Sequence, residues 1–463
     1  MRVTLTLTRA QHALLSDHLL PGDGLEAIAL ALCGRAASGE THRLLVHEIV
    51  PIPHDACMVR KADQVTWPTD LLLPLLQKAT KRGMAIMKIH SHPGGGAKFS
   101  SVDDRSDAVL FPSIQAAIDD GLPHASAIML PDGRIMGRVH HDDGQHSSID
   151  CVSVIGDDLT FWHADETAQD VPEFARRHAQ AFGQGTFQRL RHLSIAVVGC
   201  SGTGSVVIDQ LARLGVGRLV LVDPDLVEEK NLNRILNTVR ADIGLPKVKV
   251  LGAFINRLGL GTIVEAIQSD LSHPDALKAV ASCDVVIGCM DSVDGRDLLN
   301  RIATFYLQSY FDVGVRLDAD GQGGVDQICG STHYLQPGGS SLKSRGVYTA
   351  EQVRAAGLHR TDPDGYRDQV ERGYIRGIAE DRPAVNSVNS FYASLLVMDL
   401  LARLHPYRLD PNREFAGQTI SLSIGSWLRR EDGEPDQALA RYVGRGDMTP
   451  PLDRPYLDVP RGA

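Results

Sequence analysis

The chain has 463 residues, enough for two or three domains, and its 43% hydrophobic and 22% charged content is that of an ordinary globular protein. A formal net charge of −10 argues against a general nucleic-acid binder. No apolar stretch is long enough to span a bilayer. The seven cysteines, at 33, 57, 151, 200, 283, 289 and 329, lack paired spacing, so reduced thiols in a cytoplasmic protein are expected.

Residues 1–160 read as one α/β unit. Met1-Arg-Val-Thr-Leu-Thr-Leu-Thr8 alternates as a strand does and does not read as a signal peptide. A helix follows, then an apolar strand at 27–33. Met84-Ala-Ile-Met-Lys-Ile89 is a further apolar run, a strand that delivers His90-Ser91-His92-Pro93. Imidazoles two residues apart on a strand point to one face. Gly94-Gly-Gly96 lets the chain turn, Ser100 is placed to cap a helix, and Asp103 rides in its first turn. Two imidazoles and a carboxylate are what a zinc ion needs when its fourth position stays open for water. The competing reading is a pair of surface histidines beside a glycine loop. Ala125 to Gly137 reads as a hairpin with an Asp-Gly turn. A polar stretch follows from His140 to Ser148, and the charge rhythm over 161–185 suits a linker helix.

The pattern H-x-H-x₇-S-x₂-D resembles the JAMM (MPN-type) metallopeptidases, which cut isopeptide or peptide bonds after ubiquitin-like proteins. The resemblance implies that His90, His92 and Asp103 hold Zn²⁺ and acidify a water to a pKa of about 7. A glutamate must then take the water's proton and pass it to the leaving amine. In the family it lies upstream, on a helix leading into an apolar strand and a glycine. Glu26, in Gly24-Leu-Glu-Ala-Ile-Ala-Leu-Ala-Leu-Cys-Gly34, fits that context, with Glu40 and Glu48 as alternatives. A solvated helix-end carboxylate is the competing reading of Glu26. Ser100 would donate to the developing oxyanion, instead of capping a helix or in addition to it.

From 186 to 463 the pattern changes. Ser194-Ile-Ala-Val-Val-Gly199 is a buried strand and Gly199-Cys-Ser-Gly-Thr-Gly204 a glycine-rich turn. Val206–Leu214 reads as a helix, and Arg218-Leu-Val-Leu-Val-Asp223 as a strand with an acid at its end. Cys283-Asp-Val-Val-Ile-Gly-Cys289 is a later strand ending beside Asp291. Alternating strands and helices imply a doubly wound, mostly parallel Rossmann-like sheet with ligands at the strands' carboxyl ends. A glycine turn between strand and helix offers N–H groups to phosphates. One reading is a dinucleotide-dependent oxidoreductase with Asp223 on the ribose. Against it stand the G-x-x-G-x-G order, Asp225, Asn231-Leu-Asn-Arg234, Gly244-Leu-Pro-Lys247, and Met290-Asp291 with Arg296. That set suits a triphosphate and a metal better than a nicotinamide.

Together these motifs resemble the ThiF/MoeB superfamily, which includes the ubiquitin-activating enzymes and adenylates the C-terminal glycine of ubiquitin-like or sulfur-carrier proteins. The resemblance implies that Gly199, Gly202 and Gly204 form the nucleotide turn and that Asp223, with Asp225 nearby, serves the ribose end of ATP. Asn231, Arg234 and Lys247 would contact phosphates, and Asp291 would bind Mg²⁺. Arg234, Lys247 and Asp291 would thereby offset the charge built up as a carboxylate attacks the α-phosphate. Arg177 resembles an arginine that some relatives lend across a dimer, or it lies on a solvated helix face.

Two departures stand out. Ser201 replaces a second glycine. Pro337-Gly-Gly-Ser-Ser-Leu-Lys-Ser344 carries Ser341 and Ser344 where many relatives have a zinc-binding Cys-x-x-Cys, and the second pair is missing as well, so no structural zinc is expected there. Nor does any cysteine follow Cys329 to carry a thioester. Three routes are open. The acyl-adenylate passes directly to a partner; Cys289 or Cys329 serves; or Ser341 or Ser344 accepts an oxyester with Lys343 or Arg345 beside it. The competing reading of those serines is a loop that replaces the zinc knuckle.

The whole resembles a JAMM peptidase fused to a ubiquitin-activating adenylyltransferase, as in bacterial ubiquitin-like conjugation systems linked to antiphage defence. The partners implied are a ubiquitin-like protein's C-terminal tail, a conjugating-enzyme-like protein and a second copy of the chain. Sulfur-carrier activation and an inactive nucleotide-binding scaffold are the alternatives.

Overall fold

A computed structural model describes residues 2–39, 41–165, 170–371 and 383–458. The chain forms two compact units. The first holds residues 1–167, 305–307 and 441–463; the second holds 168–304 and 308–440.

Among the described residues, the first unit is built on a sheet of nine strands: β1 (Arg2–Thr8), β2 (Ile28–Ser38), β3 (Thr41–Pro51), β6 (Ala85–Ser91), β7 (His124–Met129), β8 (Ile135–His140), β9 (His146–Ser148), β10 (Cys151–Ile155) and β11 (Leu159–His163), in the order β11-β10-β1-β3-β2-β6-β7-β8-β9. A separate two-stranded ribbon pairs β4 (Val59–Lys61) with β5 (Gln64–Thr66). Helix α1 (Arg9–Leu19) follows β1, α2 (Leu73–Arg82) precedes β6, and α3 (Ser101–Ile118) follows it.

β2 is apolar at consecutive positions because it separates two cores. Its small residues Ala29, Ala31 and Cys33 join Leu15 and Leu19 of α1 in one. Its large residues Ile28, Leu30 and Leu32 join Leu75 and Ala79 of α2 and Phe111 and Ile114 of α3 in the other. β6 repeats the alternation: Ala85, Met87 and Ile89 face the first core and Ile86 the second. By the two-residue period, Lys88 and His90 share the face of Ile86. The expected hairpin forms between β7 and β8, with Gly133 at φ +82 in its turn.

The linker region departs from a single helix. Residues 161–163 finish the edge strand β11, and two short helices follow, α4 (Arg176–Phe182) and α5 (Gln184–His192). Gly183 separates them at φ +79, a conformation glycine adopts readily.

Among the described residues, the second unit carries eight strands: β12 (Ser194–Val198), β13 (Arg218–Val222), β14 (Ile263–Ile267), β15 (Val285–Gly288), β16 (Ser309–Ala319), β17 (Val325–Leu335), β18 (Gly417–Ser421) and β19 (Ser426–Arg430). Their order is β14-β13-β12-β15-β16-β17-β18-β19. The first five are parallel and the last three are added antiparallel. Helices α6 (Gly202–Leu214), α7 (Lys247–Leu258), α8 (Pro274–Ala281) and α9 (Val293–Phe305) connect the parallel strands. α10 (Ala350–Thr361), α11 (Pro363–Glu371) and α12 (Asn386–Leu404) follow β17. β12 lies between β13 and β15, so strand order reverses there, where doubly wound sheets open a crevice at the carboxyl ends.

The expected span of the second domain, 186–463, and the packing differ at the end of the chain. From Arg441 onward the tail belongs to the first unit. His47 Nδ1 lies 2.7 Å from the Val443 carbonyl, and Arg35 forms a parallel bridge with Gly446. Among the described residues, no helix is long and apolar enough to cross a membrane.

Candidate metal centre and nucleotide turn

The first site forms where β6 ends. His90 is paired with Ile28 of β2 on one side and Ile128 of β7 on the other. The N–H of His92 donates to the Met129 carbonyl at 2.9 Å. His90 Nε2 and His92 Nε2 lie 3.0 Å apart. Asp103, in the first turn of α3, brings Oδ1 to 3.0 Å from His90 Nε2 and Oδ2 to 3.5 Å from His92 Nε2. Tetrahedral zinc with Zn–N bonds of 2.0–2.1 Å places neighbouring donors about 3.3 Å apart, so this donor set fits such an ion. His92 Nδ1 faces the Gly96 carbonyl at 2.7 Å, which fixes the tautomer that leaves Nε2 as the ligand atom.

Glu26 completes the cluster. Its carboxylate lies 4.0 Å from His92 Nε2, and one donor atom each from Glu26, His90 and His92 fall within 4.8 Å of one another. The helix expected to carry it ends at Leu19; Glu26 stands in the loop before β2. That loop is pinned by Glu26 N–H to the Lys61 carbonyl at 2.7 Å and Ala27 N–H to Ser91 Oγ at 2.9 Å. Ser91, between the two histidines, holds this loop through Ala27, a link that no local sequence pattern marks and only strand register reveals. Of the alternatives, Glu48 is ion-paired with Lys78 at 2.7 Å, and Glu40 lies outside the described residues.

Burial pushes the Glu26 carboxyl up to about 7, with Asp103 adding to the rise and His92 opposing it. A carboxylate of that basicity suits proton transfer near neutral pH. Burial lowers His90. Burial also opposes protonation of His92, but hydrogen bonds to Asp103 and Gly96 raise it overall. Asp103 is held far below the carboxylate range by both imidazoles, against the effect of burial. Ser100 caps α3: its Oγ accepts the N–H groups of Val102 and Asp103 at 3.2 Å, and its own N–H donates to Asp103 Oδ2 at 2.7 Å. It therefore orients Asp103 as well as starting the helix.

The second site lies at the carboxyl end of β12. Gly199 has φ +91, and a Cβ there would stand 2.7 Å from the Cys289 carbonyl oxygen. A Cβ on Gly204 would overlap the Gly199 carbonyl, and one on Gly202 would overlap Asn389 of α12. Backbone contacts thus require glycine at 199 and 204, whereas at 202 the added atom meets the side-chain amide of Asn389. Asn389 was not foreseen, because nothing near it in sequence marks it. The Arg234 side chain lies beside Gly202, its Cδ 3.4 Å from the Gly202 Cβ position. Its Nη1 donates to the Lys230 carbonyl at 2.8 Å.

Asp223 ends β13 and accepts the Cys200 N–H at 2.6 Å and the Asp225 N–H at 2.9 Å. Burial raises it. Lys247 Nζ donates to Asp225 at 2.7 Å and lies 3.9 Å from Asp223. Asn231 is buried, and its Oδ1 accepts the Glu228 N–H at 3.0 Å. Asp291 is exposed, two residues past Cys289, whose carbonyl abuts Gly199. Arg296 is ion-paired with fully buried Asp312, with Nε to Oδ1 at 2.9 Å. Arg177 is exposed on α4.

Ser341 is 2% exposed, donates to Asp436 at 2.6 Å and accepts the Ser344 N–H at 3.0 Å. Ser344 Oγ accepts the Ser341 N–H at 2.9 Å. Arg345 binds Asp432 and the carbonyls of Tyr334 and Ala416, and its Nε donates to Ser340 Oγ at 2.7 Å. These serines sit in a polar clasp. All seven cysteines are free; Cys289 is buried and its thiol is pushed well up.

The architecture and these two sites define a JAB-like domain fused to a ThiF-type Rossmann-like unit. The chain belongs to the ThiF family, whose model matches residues 175–424, more than half of its length. Residues 8–136 match a second family, described as prokaryotic homologs of the JAB domain. A SAMP-activating enzyme E1 of Haloferax volcanii is 37% identical over 123 residues, 27% of this chain and 44% of the relative. Ubiquitin-like modifier-activating enzyme 5 of Drosophila erecta is 29% identical over 164 residues, 33% of this chain and 39% of the relative. The chain thus spans less than half the length of these two relatives. Among solved structures, E. coli MccB with ATP aligns with a TM-score of 0.44 at 18% identity, covering 58% of this chain and 74% of that one.

Proposed function

We propose that the chain is a bifunctional enzyme acting on the C-terminal tail of a ubiquitin-like protein: an ATP-dependent adenylyltransferase joined to a zinc-dependent peptidase or isopeptidase. For the second unit, the observation that carries the reading is the close-packed Gly199–Gly204 turn, with Asp223 bonded to its Cys200 N–H, Lys247 3.9 Å from Asp223 and Arg234 beside Gly202. N–H groups at the head of α6 would hold phosphates. Arg234 and Lys247 would offset charge on the α-phosphate as the tail carboxylate attacks and pyrophosphate leaves. Lys247 must first exchange Asp225 for phosphate. Asp291 would hold Mg²⁺, which supplies further charge neutralisation. The name of the Drosophila erecta relative supports a ubiquitin-like substrate, and that of the Haloferax volcanii relative supports an activating reaction.

In the first unit, His90, His92 and Asp103 would hold zinc, whose contribution is an acidified water. Glu26 takes the proton and returns it to the departing amine, and its raised basicity suits both steps. The buried, hydrogen-bonded Ser341 favours direct hand-over of the acyl-adenylate to a partner over a seryl ester. A homodimer and a conjugating-enzyme-like acceptor are further parts of this reading.

ATP–pyrophosphate exchange with a glycine-ended ubiquitin-like protein tests the first activity. Exchange should vanish in Arg234→Ala and Lys247→Ala; exchange that survives both refutes the site. Cleavage of a fusion extended beyond that glycine tests the second, and should vanish in Glu26→Gln. Exchange with a sulfur carrier only would move the assignment to cofactor biosynthesis.

A further inference from the structure

Lys88 and Asp107 form a second rung beneath the metal centre. Lys88 and His90 are alternate residues of β6 and share a face. Asp103 and Asp107 are one turn apart on α3 and share a face as well. Two parallel rungs result: His90 Nε2 to Asp103 Oδ1 at 3.0 Å, and Lys88 Nζ to Asp107 Oδ1. Asp107 is 1% exposed. It also takes Arg138 Nη2 of β8 at 2.8 Å, and His140 Nε2 lies 3.4 Å away. Arg138 reaches Asp104 at 2.6 Å and lies 4.0 Å over the Phe99 ring, whose centre is 6.5 Å from that of His90. One buried carboxylate thus ties β6, β8 and α3 together.

A pair buried this deeply returns little net stability, because desolvating both ions costs about as much as their attraction yields. Apolar side chains of equal volume would hold helix to strand as well. They would not define one position along the strand, as a directed ion pair does. Metal–ligand distances tolerate only about 0.2 Å, so a small slide of α3 would remove Asp103 from the ligand set.

We propose that Lys88 and Asp107 are positioning residues for the metal centre, locking α3 against β6 so that Asp103 completes the set begun by His90 and His92. This rests on reading that set as a divalent-metal site.

The test uses the full chain and zinc alone, with affinity read by competition against a chromophoric chelator and folding read by thermal melting. Lys88→Met and Asp107→Asn should each weaken zinc binding about 10- to 100-fold, the range for residues that orient ligands without touching the metal. Lys88→Arg should bind as the parent does. Single changes that leave one buried charge risk misfolding, so the double variant Lys88→Met/Asp107→Leu decides those cases: no lone ion remains of the pair, and Arg138 keeps Asp104. It should melt near the parent and still lose zinc affinity to the same degree. Parental affinity in these variants, with binding abolished by His90→Ala, overturns the positioning role and leaves the metal site standing. A parent that does not bind zinc, or binds it equally after His90→Ala, overturns the metal reading and this proposal with it.

Discussion

Ser91 and Ala27 are joined twice: Ser91 Oγ accepts the Ala27 N–H at 2.9 Å, and the Ser91 N–H donates to the Ala27 carbonyl at 3.0 Å. The residue between the two histidines therefore holds the residue that follows Glu26. Ser91→Ala removes the side-chain bond and leaves a buried N–H without an acceptor, a cost of about 1–3 kcal/mol. The backbone bond survives, so the chain should fold and bind zinc. Glu26 loses part of its restraint, and kcat for peptide cleavage should fall roughly tenfold, a share of the about 10²- to 10⁴-fold that a placed base supplies. Zinc content near one per chain with reduced kcat is the expected pair of results; parental kcat would sink the idea.

The clasp around Arg345 predicts how the second unit responds to metal removal. The Arg345 side chain is 2% exposed, and Asp432 holds it at 2.8 Å while Ser341 holds Asp436. These bonds fill the Ser341–Ser344 loop, where the resemblance to the ThiF/MoeB superfamily would place a zinc-binding Cys-x-x-Cys. Phenanthroline should therefore abolish peptide cleavage while leaving pyrophosphate exchange and the melting of the second unit unchanged. Asp432→Ala should instead destabilise that unit by about 3 kcal/mol, because a buried guanidinium loses its counter-charge. A second tightly bound zinc in metal analysis would contradict this.

What the sequence made legible follows distance along the chain. His90, His92 and Asp103 lie within fourteen residues, and strand, turn and helix cap bring them together by local geometry alone. The glycine turn is likewise one strand-to-helix junction. Asn389 against Gly202, and Ser91 against Ala27, depend on which distant segments pack side by side, and no local pattern records that. Glu26 reaches the two histidines from a pinned loop and not from the expected helix, so its order in the chain is legible while the element that carries it is not. The ion pair of Arg296 with buried Asp312, sixteen residues on, likewise carries no mark in the sequence.

Acid should unfold the first unit through its buried histidines. Burial, helped by Arg35, pushes His42 down to about 4 and His124 to about 3, and Asp120 only partly offsets this at His42. In the unfolded chain both titrate near 6.5. Between about pH 6.5 and 4 the unfolded state binds protons that the folded state refuses. Stability therefore is complete above pH 6.5 and is lost as pH falls, by up to about 1.4 kcal/mol per pH unit for each ring. His124 Nδ1 also accepts the Ile86 N–H at 3.0 Å, a bond that protonation would break. His124→Gln keeps an acceptor and removes the titration, so its denaturant midpoint should fall less steeply from pH 6.5 to 4.5. Parallel curves for parent and variant would exclude His124 as a source.

The tail that returns to the first unit is held through glycines. A Cβ on Gly34 of β2 would overlap the Gly444 carbonyl and stand 2.5 Å from the Arg445 carbonyl carbon, and both contacts are backbone. Gly444 has φ +68 and is itself pressed against Val46. Beyond it, Asp447 N–H donates to the Arg35 carbonyl at 2.7 Å, and Tyr306 donates its hydroxyl to Asp447 at 2.9 Å. Gly34→Ala cannot be relieved by a rotamer change, so the tail must shift or leave, at about 1–3 kcal/mol. Trypsin should then cut after Arg441 and Arg445 well before the rest of the unit. Gly185→Ala, where nothing lies within 4 Å of the new methyl, is the matched control. If both variants resist trypsin as the parent does, the tail is not held by this contact.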